Sequence, residues 1–213
     1  MLKQHKGKLL ITSIVTVLPM LVGLARWNDL PQRIATHWGV SGAPDGWSSK
    51  GFTVFATPLI LLAVHWLCAL VTSLDPKNKG QNRKAIGLVL WICPVVSLFI
   101  NGAIYATALG LELNVSVITL VLVGLMFVVI GNYLPKCKQN YTIGIKLMWT
   151  LDNEENWNAT HRFAGKVWMV GGVLLTLCAF LPTAALLYVL IASVVLMVGV
   201  PVLYSYLYYR RQK

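Results

Sequence analysis

Two stretches of the 213-residue chain contain side-chain types that could do chemistry. Glu154 and Glu155 precede His161, and a carboxylate with an imidazole could serve general acid–base catalysis if both lined one pocket. One helix face does not make a pocket, so catalysis is the least favoured role. His37 and Asp45 are metal-ligand types without a third, which is too few for a metal site. We expect neither a metal nor a cofactor.

The composition indicates an integral membrane protein. Hydrophobic residues make up 57% of the chain, charged residues 12%, and the mean hydropathy is +0.68, values that do not suit a water-soluble core and shell. The formal net charge of +11 does not indicate nucleic-acid binding, because the basic residues are spread over short segments between apolar runs. Such spacing is typical of a membrane topology signal.

Six apolar runs approach the roughly 20 residues that a helix needs to cross a bilayer core of about 30 Å. They occupy residues 9–26, 52–74, 86–109, 115–134, 166–181 and 184–208. The run 166–181 is short, and its helix is expected to begin earlier. We interpret the first run as an uncleaved span and not as a secretory signal. The predicted fold is therefore an all-α integral membrane protein with six transmembrane helices.

The Lys and Arg residues between these runs predict the orientation. Fifteen of the 18 fall on one side of the span map, and only Arg26, Arg33 and Lys50 fall on the other. Both termini and residues 135–166 are therefore predicted to be cytoplasmic. Residues 27–51 form the long external loop.

The span map has a weak internal symmetry. The two halves, residues 1–109 and 110–213, each have three spans and one long loop, and each loop opens near a Leu-Pro pair. The long loop is external in the first half and cytoplasmic in the second. This pattern fits a three-plus-three inverted repeat of the kind found in transporters, with the halves as domains.

The external loop combines turn formers with three tryptophans. We predict a turn at Pro44-Asp45-Gly46, since proline presets φ and glycine accepts a positive φ. Trp27, Trp38 and Trp47 would lie at headgroup depth. Two interpretations stay open: an aromatic belt with a compact cap, or a binding surface that includes His37, Asp45 and Lys50.

In the cytoplasmic loop, Asp152 followed by Glu155 predicts a helix N-cap, with the helix starting at the next residue. On that helix Trp157 and His161 share one stripe, while Glu155 and Arg162 lie on a neighbouring stripe. The amphipathic segment could be an interfacial anchor, a docking platform for a soluble partner, or a lid that senses the helices.

Two polar residues lie near the middle of predicted spans, His65 in the second and Asn101 in the third. An ionisable side chain at that depth costs roughly 2.5–3.5 kcal/mol on insertion scales, so it has to face the bundle or water. A neutral His65 that is hydrogen-bonded to another helix is the simpler interpretation. A coupling or proton site for transport is the alternative.

The cytoplasmic loop also carries a long, spaced motif, called here the C-terminal motif (residues 140–165). It reads Asn140-x-x-x-Gly144-Ile145-Lys146-x-x-Trp149-Thr150-Leu151, then Asn153-Glu154-x-x-Trp157-x-x-Thr160-His161-Arg162-x-x-Gly165. This motif resembles the hallmark of the SdpI family, bacterial membrane proteins named for immunity to a secreted killing peptide. It departs from the family pattern at Lys146-Leu147-Met148-Trp149, where members tend to have Arg-Thr-Pro-Trp.

A second motif, called here the N-terminal motif (residues 30–50), lies in the external loop. It reads Leu30-Pro31-x-x-Ile34-x-x-His37-Trp38, then Gly42-x-Pro44-Asp45-x-Trp47-x-x-Lys50. It resembles the uncharacterised module that often precedes the SdpI hallmark. With the spans between them, the two motifs cover nearly the whole chain.

The resemblance implies a protein of the bacterial inner membrane that protects the cell from a peptide at its outer face. In the founding system it also implies retention of a transcriptional repressor at the membrane when toxin is bound. We therefore expect a non-enzymatic immunity and signalling protein whose partners are the bilayer, a killing peptide and a cytosolic repressor, without direct nucleic-acid contact.

The motif positions supply the candidate site residues. The external ligand-binding residues would be Leu30, Pro31, His37, Trp38, Pro44, Asp45, Trp47 and Lys50. The cytoplasmic partner-binding or coupling residues would be Asn140, Gly144, Lys146, Trp149, Thr150, Glu154, Trp157, Thr160, His161, Arg162 and Gly165.

Two other classes of function stay open. A transporter or exporter of peptide or lipid would use the inverted repeat together with His65 and Asn101. A membrane-embedded enzyme would need Glu154, His161 and Arg162 around one cavity that reaches the bilayer.

Overall fold

The computed structural model describes residues 5–39 and 42–212, so Lys3 and Lys213 of the charge count lie outside the described residues. The elements are α1 (Lys6–Ala25), β1 (Arg33–Trp38), β2 (Pro44–Ser49), α2 (Thr57–Leu74), α3 (Arg83–Ala108), α4 (Val115–Tyr133), α5 (Met148–Asp152), α6 (Glu154–Cys178) and α7 (Thr183–Arg211). A π-helical turn at Phe52–Ala56 leads into α2, and 3-10 turns occupy Pro76–Gly80 and Leu134–Lys136.

Five helical segments among the described residues are long and apolar enough to cross a membrane. They are Lys6–Ala25, Phe52–Leu74, Arg83–Ala108, Val115–Lys136 and Ala184–Arg211. Each coincides with a predicted run to within a few residues. Many of their large apolar side chains are exposed, among them Leu10, Leu67 and Val195, as expected of surfaces that face lipid. A membrane protein with five such helices is therefore confirmed.

The sixth predicted span, residues 166–181, overlaps the second half of α6 and extends past its end at Cys178. The expected earlier start is confirmed, since α6 begins at Glu154. Its apolar part from Val167 to Cys178 has roughly a dozen residues, or about 18 Å at a rise of about 1.5 Å per residue, against a bilayer core of about 30 Å. Because this apolar part is short, the sixth span stays a prediction. The orientation and the inverted repeat stay predictions as well.

The expectation of an all-α fold is wrong in the segment after α1, where β1 and β2 form an antiparallel hairpin. The predicted turn at Pro44-Asp45-Gly46 is also wrong, because these residues begin β2. The strands are joined beyond β1 by the Gly39 N–H, which donates to the Ala43 carbonyl at 3.0 Å, and Gly42 has a φ of +78°. Proline is compatible with the first position of a strand, where its missing N–H costs little.

The chain divides into two compact units. Unit 1 contains residues 1–71 and 87–118, and unit 2 contains residues 72–86 and 119–213. The hairpin packs within unit 1 on a buried apolar cluster of Leu30, Ile34, Val54, Ile104 and Tyr105, with Trp27 and Trp38 against it. Unit 2 contains the C-terminal motif together with the connection between α2 and α3.

Within unit 2, α4 and α6 approach each other closely through glycines. Gly124 and Gly131 on α4 face Gly172 and Gly165 on α6, two helical turns apart on each helix. A Cβ atom added at Gly172 would lie 2.5 Å from the Gly124 carbonyl oxygen, and one at Gly165 would lie 2.7 Å from that of Gly131. Small residues let backbones approach, which is a common basis of helix association in membranes. Gly165 of the C-terminal motif is therefore a packing residue.

This close approach predicts a stability difference between two Gly→Ala variants. Gly172→Ala should lower the free energy of unfolding by about 1–3 kcal/mol, because the added methyl group has no room. Gly199→Ala is the matched control, since an added Cβ there meets nothing within 4 Å, and alanine in a helix should be neutral or stabilise by about 0.5–1 kcal/mol. Thermal unfolding of the purified proteins in detergent compares the two. Equal unfolding midpoints would contradict the tight α4–α6 contact.

Candidate functional site

In the N-terminal motif, Lys50 has a structural role. Only 7% of it is exposed. Its Nζ donates hydrogen bonds to the carbonyls of Trp27 at 3.0 Å and Leu30 at 3.1 Å, and it lies 4.9 Å from the centroid of the Trp27 ring. These carbonyls follow the end of α1, where a cation is favourable. Lys50 therefore anchors the segment that leads into the hairpin. Its ammonium group is bound by the two carbonyls and the Trp27 ring, so it does not face a ligand.

The other residues of the N-terminal motif separate by exposure. Leu30 is buried in the apolar cluster and Trp38 is half-buried against it. The five exposed members, which we call the hairpin surface, are Pro31, His37, Pro44, Asp45 and Trp47. Only these five are free to contact a ligand.

The hairpin surface contains a polar pair beside an exposed aromatic ring. His37 Nδ1 and Asp45 Oδ1 are 2.5 Å apart, and both side chains are more than half exposed. Trp47 is 52% exposed. Among residues 5–39 and 42–212, no group of three or more His, Cys, Asp or Glu side chains could hold a metal ion. The arrangement suits contact with a molecule that has both apolar and polar groups.

The two polar residues inside the predicted spans are hydrogen-bonded between helices of unit 1. His65 is buried, and its Nε2 lies 3.0 Å from the Thr12 hydroxyl on α1. Asn101 donates to the Ser97 carbonyl at 2.9 Å and accepts from the Thr57 hydroxyl at 2.8 Å. The hydrogen bond of His65 is of the kind that the simpler interpretation expects, and a role of His65 and Asn101 in transport stays a prediction. The Nδ1 atom of His65 has no partner among the described residues.

In the C-terminal motif, Asn140 organises the loop that follows α4. It is fully buried, and its Oδ1 accepts the N–H groups of Thr142 at 2.8 Å and Ile143 at 2.6 Å. Its Nδ2 donates to the carbonyls of Lys138 at 2.8 Å and Ile143 at 2.9 Å. Asparagine commonly stabilises a turn by bonding to nearby backbone. Asn140 therefore shapes the loop from inside and does not face a partner.

The α2–α3 connection holds the same loop from the other side, a role that sequence reasoning missed. Asp75 is buried and accepts from the Tyr141 N–H at 2.7 Å and the Thr142 hydroxyl at 3.1 Å. Gln81 exchanges two hydrogen bonds of 3.0 Å with the backbone of Lys138. The only local signal was the Asp75-Pro76 pair, which favours a turn but does not reveal a distant partner.

Trp157 and His161 form the buried centre of the C-terminal motif. The Trp157 Nε1–H donates to the Cys137 carbonyl at 2.8 Å, and the two rings stack with centroids 4.0 Å apart. His161 Nδ1 lies 2.8 Å from the Trp157 carbonyl, and its Nε2 lies 3.0 Å from the Ile145 N–H. A carbonyl only accepts and an N–H only donates, so the imidazole is neutral with its proton on Nδ1. Burial lowers the pKa of His161 to about 4.

Gly144 lets the loop close over this ring. It has a φ of +115°, a conformation that other residues rarely adopt. An added Cβ there would collide with His161 Nε2 and lie 3.1 Å from the Trp157 ring. Glycine is therefore needed at this position for two independent reasons, backbone conformation and space.

A second buried polar cluster joins α5 and α6 to α7. The Ser205 hydroxyl donates to Asn156 Oδ1 at 2.9 Å and accepts from the Thr160 hydroxyl at 2.8 Å and the Trp149 Nε1–H at 2.9 Å. The Trp149 ring also stacks on Tyr209, with centroids 5.8 Å apart. Trp149 and Thr160 therefore attach the motif to α7. Ser205 lies outside the motif, in an apolar run, and nothing in the sequence singled it out.

The start of α6 differs from the prediction by one residue. Its N-cap is Asn153, whose Oδ1 accepts the Asn156 N–H at 3.0 Å. The predicted cap, Asp152, is instead the last residue of the short helix α5. Both residue types can cap a helix, so local sequence could not distinguish between them.

The departure from the family pattern falls on the start of α5. Leu147 is the N-cap and Met148 the first helical residue, positions that the family's Thr and Pro would suit. In this chain the Thr150 hydroxyl accepts the Leu147 N–H at 2.9 Å instead. Lys146, where the family has Arg, is exposed and donates to the Thr142 carbonyl at 3.2 Å. Thr150 thus bonds the N–H of the N-cap residue itself, and the Leu147 side chain accepts no hydrogen bond from the first turn of α5.

The structure does not bring Glu154, His161 and Arg162, the predicted catalytic residues, together around the groove that contains Arg162. Glu154 and Arg162 are exposed, whereas His161 is buried with both ring nitrogens occupied. A groove between α4, α6 and α7 contains Arg162 but neither of the other two. Of the eleven candidate site residues in the C-terminal motif, only Lys146, Glu154 and Arg162 have exposed side chains.

Because His161 is buried and neutral, we expect the stability of unit 2 to fall in acid. Its pKa in the folded protein, about 4, lies below the usual value of about 6.5, so the unfolded state binds more protons between these values. Its stabilising effect is full above about pH 6.5 and is lost as the pH falls toward 4. We expect a loss of about 2 kcal/mol between pH 7.5 and pH 5.

The test compares His161→Gln with the unsubstituted protein by thermal unfolding in detergent at pH 7.5, 6 and 5. Other acid-sensitive groups are common to both proteins and cancel in the difference. The variant should be less stable at pH 7.5 but should lose less stability on acidification. Parallel pH profiles would contradict a neutral, buried His161.

Comparison with known proteins agrees with the two motifs. Residues 136–205 match the SdpI/YfhL protein family, and residues 14–62 match a domain of unknown function (DUF1648). The chain is 28% identical over 208 residues to the immunity protein SdpI of Bacillus subtilis (strain 168), covering 96% of this chain and 97% of that protein. No solved structure matches the chain.

Proposed function

Because the chain is similar along nearly its whole length to an SdpI immunity protein and contains a segment that matches the SdpI/YfhL family, we propose that it is a membrane immunity protein that recognises a membrane-active killing peptide at the hairpin surface. The observation that carries this proposal is the end-to-end similarity to an immunity protein, which covers both motifs and the helices between them. The mechanism is stoichiometric binding without turnover. In this proposal the protein lies in the inner membrane of a bacterial cell.

The hairpin surface supplies the contacts for such a peptide. Trp47 offers a large exposed ring that can cover an apolar side chain, and aromatic residues of this kind often dominate binding energy. The His37–Asp45 pair offers hydrogen-bonding groups beside it. The hairpin is held by Lys50 and by the buried cluster under Leu30 and Ile34. A surface that is fixed before binding loses less entropy when the ligand arrives.

The second part of the proposal concerns a cytosolic protein such as a repressor, which binds the C-terminal motif. Most motif residues are buried and give the segment one defined shape, as the contacts of Asn140, Trp157 and His161 illustrate. The exposed side chains on that framework include Tyr141, Lys146, Met148 and Glu154. Met148 is 78% exposed, and an exposed methionine can adapt to a partner surface.

An immunity assay tests the first part. Cells that are sensitive to a panel of membrane-active peptides should survive when they produce this protein, and Trp47→Ala should lower the protective effect about tenfold or more in peptide concentration. Trp66→Ala is the matched control, because Trp66 is similarly exposed at 48% but lies in α2. It should leave protection unchanged.

The outcomes separate the two levels of the proposal. Unchanged killing by every peptide would remove the immunity function. The unsubstituted protein could also protect while Trp47→Ala and Trp66→Ala reduce protection equally. That result would support immunity but would exclude the hairpin surface as the binding site.

The proposal also requires the two motifs to face opposite sides of the membrane. A cysteine introduced by Ala43→Cys should react with a membrane-impermeant maleimide in intact cells. One introduced by Lys138→Cys should react only after lysis, since both positions are exposed but lie on opposite predicted sides. The unsubstituted chain, with its four native cysteines, sets the background. Labelling of Lys138→Cys in intact cells would overturn the orientation.

A further inference from the structure

A groove of about 510 Å³ lies on unit 2 between α4, α6 and α7. Arg162 and Lys166, one turn apart on α6, lie along it, together with Asn132 at the end of α4 and Pro135 in the 3-10 turn that follows. Phe163 and Tyr204 form an aromatic wall, with ring centroids 4.2 Å apart and planes inclined by 16°. The groove thus combines two cations with an apolar wall.

No acidic side chain among the described residues forms an ion pair with either cation. Among the described residues, the only contacts between a basic and an acidic side chain are Arg26–Asp29 and His37–Asp45. Glu155, on the neighbouring stripe of α6, accepts hydrogen bonds from Tyr208 at 2.8 Å and Gln212 at 3.1 Å. A guanidinium and an ammonium one turn apart are well suited to a phosphate group.

An apolar groove continues from the cationic one. It has a volume of about 410 Å³, shares Lys166 with the first groove, and runs along α6 and α7 past Val170, Leu174, Leu196 and Met197. Val170, Leu174 and Leu196 are each more than half exposed. Cationic and apolar grooves that meet at one residue match the two parts of a phospholipid, a charged headgroup and an acyl chain.

The position along α6 suits the same ligand. Lys166 marks the point at which the polar turns of the helix give way to the apolar residues that begin at Val167. This boundary is expected at headgroup depth, where basic side chains attract anionic lipids. The cations and the lipid phosphate would therefore lie at the same level.

We propose that these joined grooves bind one anionic phospholipid, with its phosphate between Arg162 and Lys166 and an acyl chain along α6 and α7. This site is independent of the killing peptide and of any cytosolic partner. In this proposal Arg162 of the C-terminal motif binds a lipid phosphate and does not bind a cytosolic protein.

Native mass spectrometry of the purified full-length protein tests the site with phosphatidylglycerol and phosphatidylcholine as probes. The protein should retain phosphatidylglycerol in preference to phosphatidylcholine. The double variant Arg162→Gln/Lys166→Gln should weaken phosphatidylglycerol binding by roughly fivefold for each charge removed. Arg83→Gln/Lys84→Gln removes the same charge from two exposed residues at the start of α3 and should change retention less than twofold. Equal loss in both double variants, or no lipid preference at all, would overturn the site.

A competition experiment distinguishes a lipid from a free anion. Inorganic phosphate at the same concentration should not displace phosphatidylglycerol, because it cannot occupy the apolar groove. Displacement by inorganic phosphate would show a plain anion site and overturn the lipid assignment. If the double variant does not fold, a salt titration of the unsubstituted protein replaces it: phosphatidylglycerol retention should fall with ionic strength while phosphatidylcholine retention does not. Salt-independent retention would overturn the proposal.

Discussion

The imidazole of His161 accepts the Ile145 N–H and donates to the Trp157 carbonyl, and the shape of the C-terminal motif depends on this pair of hydrogen bonds. The loop between α4 and α5 has no regular hydrogen-bond ladder, so its buried backbone groups need side-chain partners. Asn140 and Asp75 supply several of these partners. Gly144 leaves the space that the imidazole fills. A stretch that looks like a catalytic cluster in the sequence is therefore mainly a set of backbone supports.

The two motifs contain buried residues and exposed residues, which the sequence pattern alone does not distinguish. Buried members such as Trp157 and Lys50 fix a loop in one conformation. Exposed members such as Trp47 and Glu154 remain free for other molecules. This division suits a binding protein, in which a rigid framework presents a few side chains, better than it suits catalysis, which requires several groups to converge on one cavity.

Arg162 illustrates how position on a helix changes the meaning of a residue. It follows His161 directly, yet it points into a groove that contains Lys166 and an aromatic wall, while His161 points into the loop. Adjacent residues on a helix lie about 100° apart, so they meet different surroundings. In our interpretation the same turn of α6 supports the loop between α4 and α5 on one side and holds a lipid on the other.

The sequence by itself determined the membrane class, the apolar helices and the two motifs, because these depend on run length and spacing along the chain. Tertiary structure decided the rest. The partners Asp75, Gln81 and Ser205 depend on contacts between residues far apart in sequence. The hairpin and the Asn153 cap are local, but the residue types are compatible with more than one local structure. The length and apolarity of the runs predict α1 to α4 and α7, but they cannot show that Lys50 is buried or that Glu154 and His161 face different surroundings. Burial and hydrogen bonding belong to the folded chain, and residue types alone do not specify them.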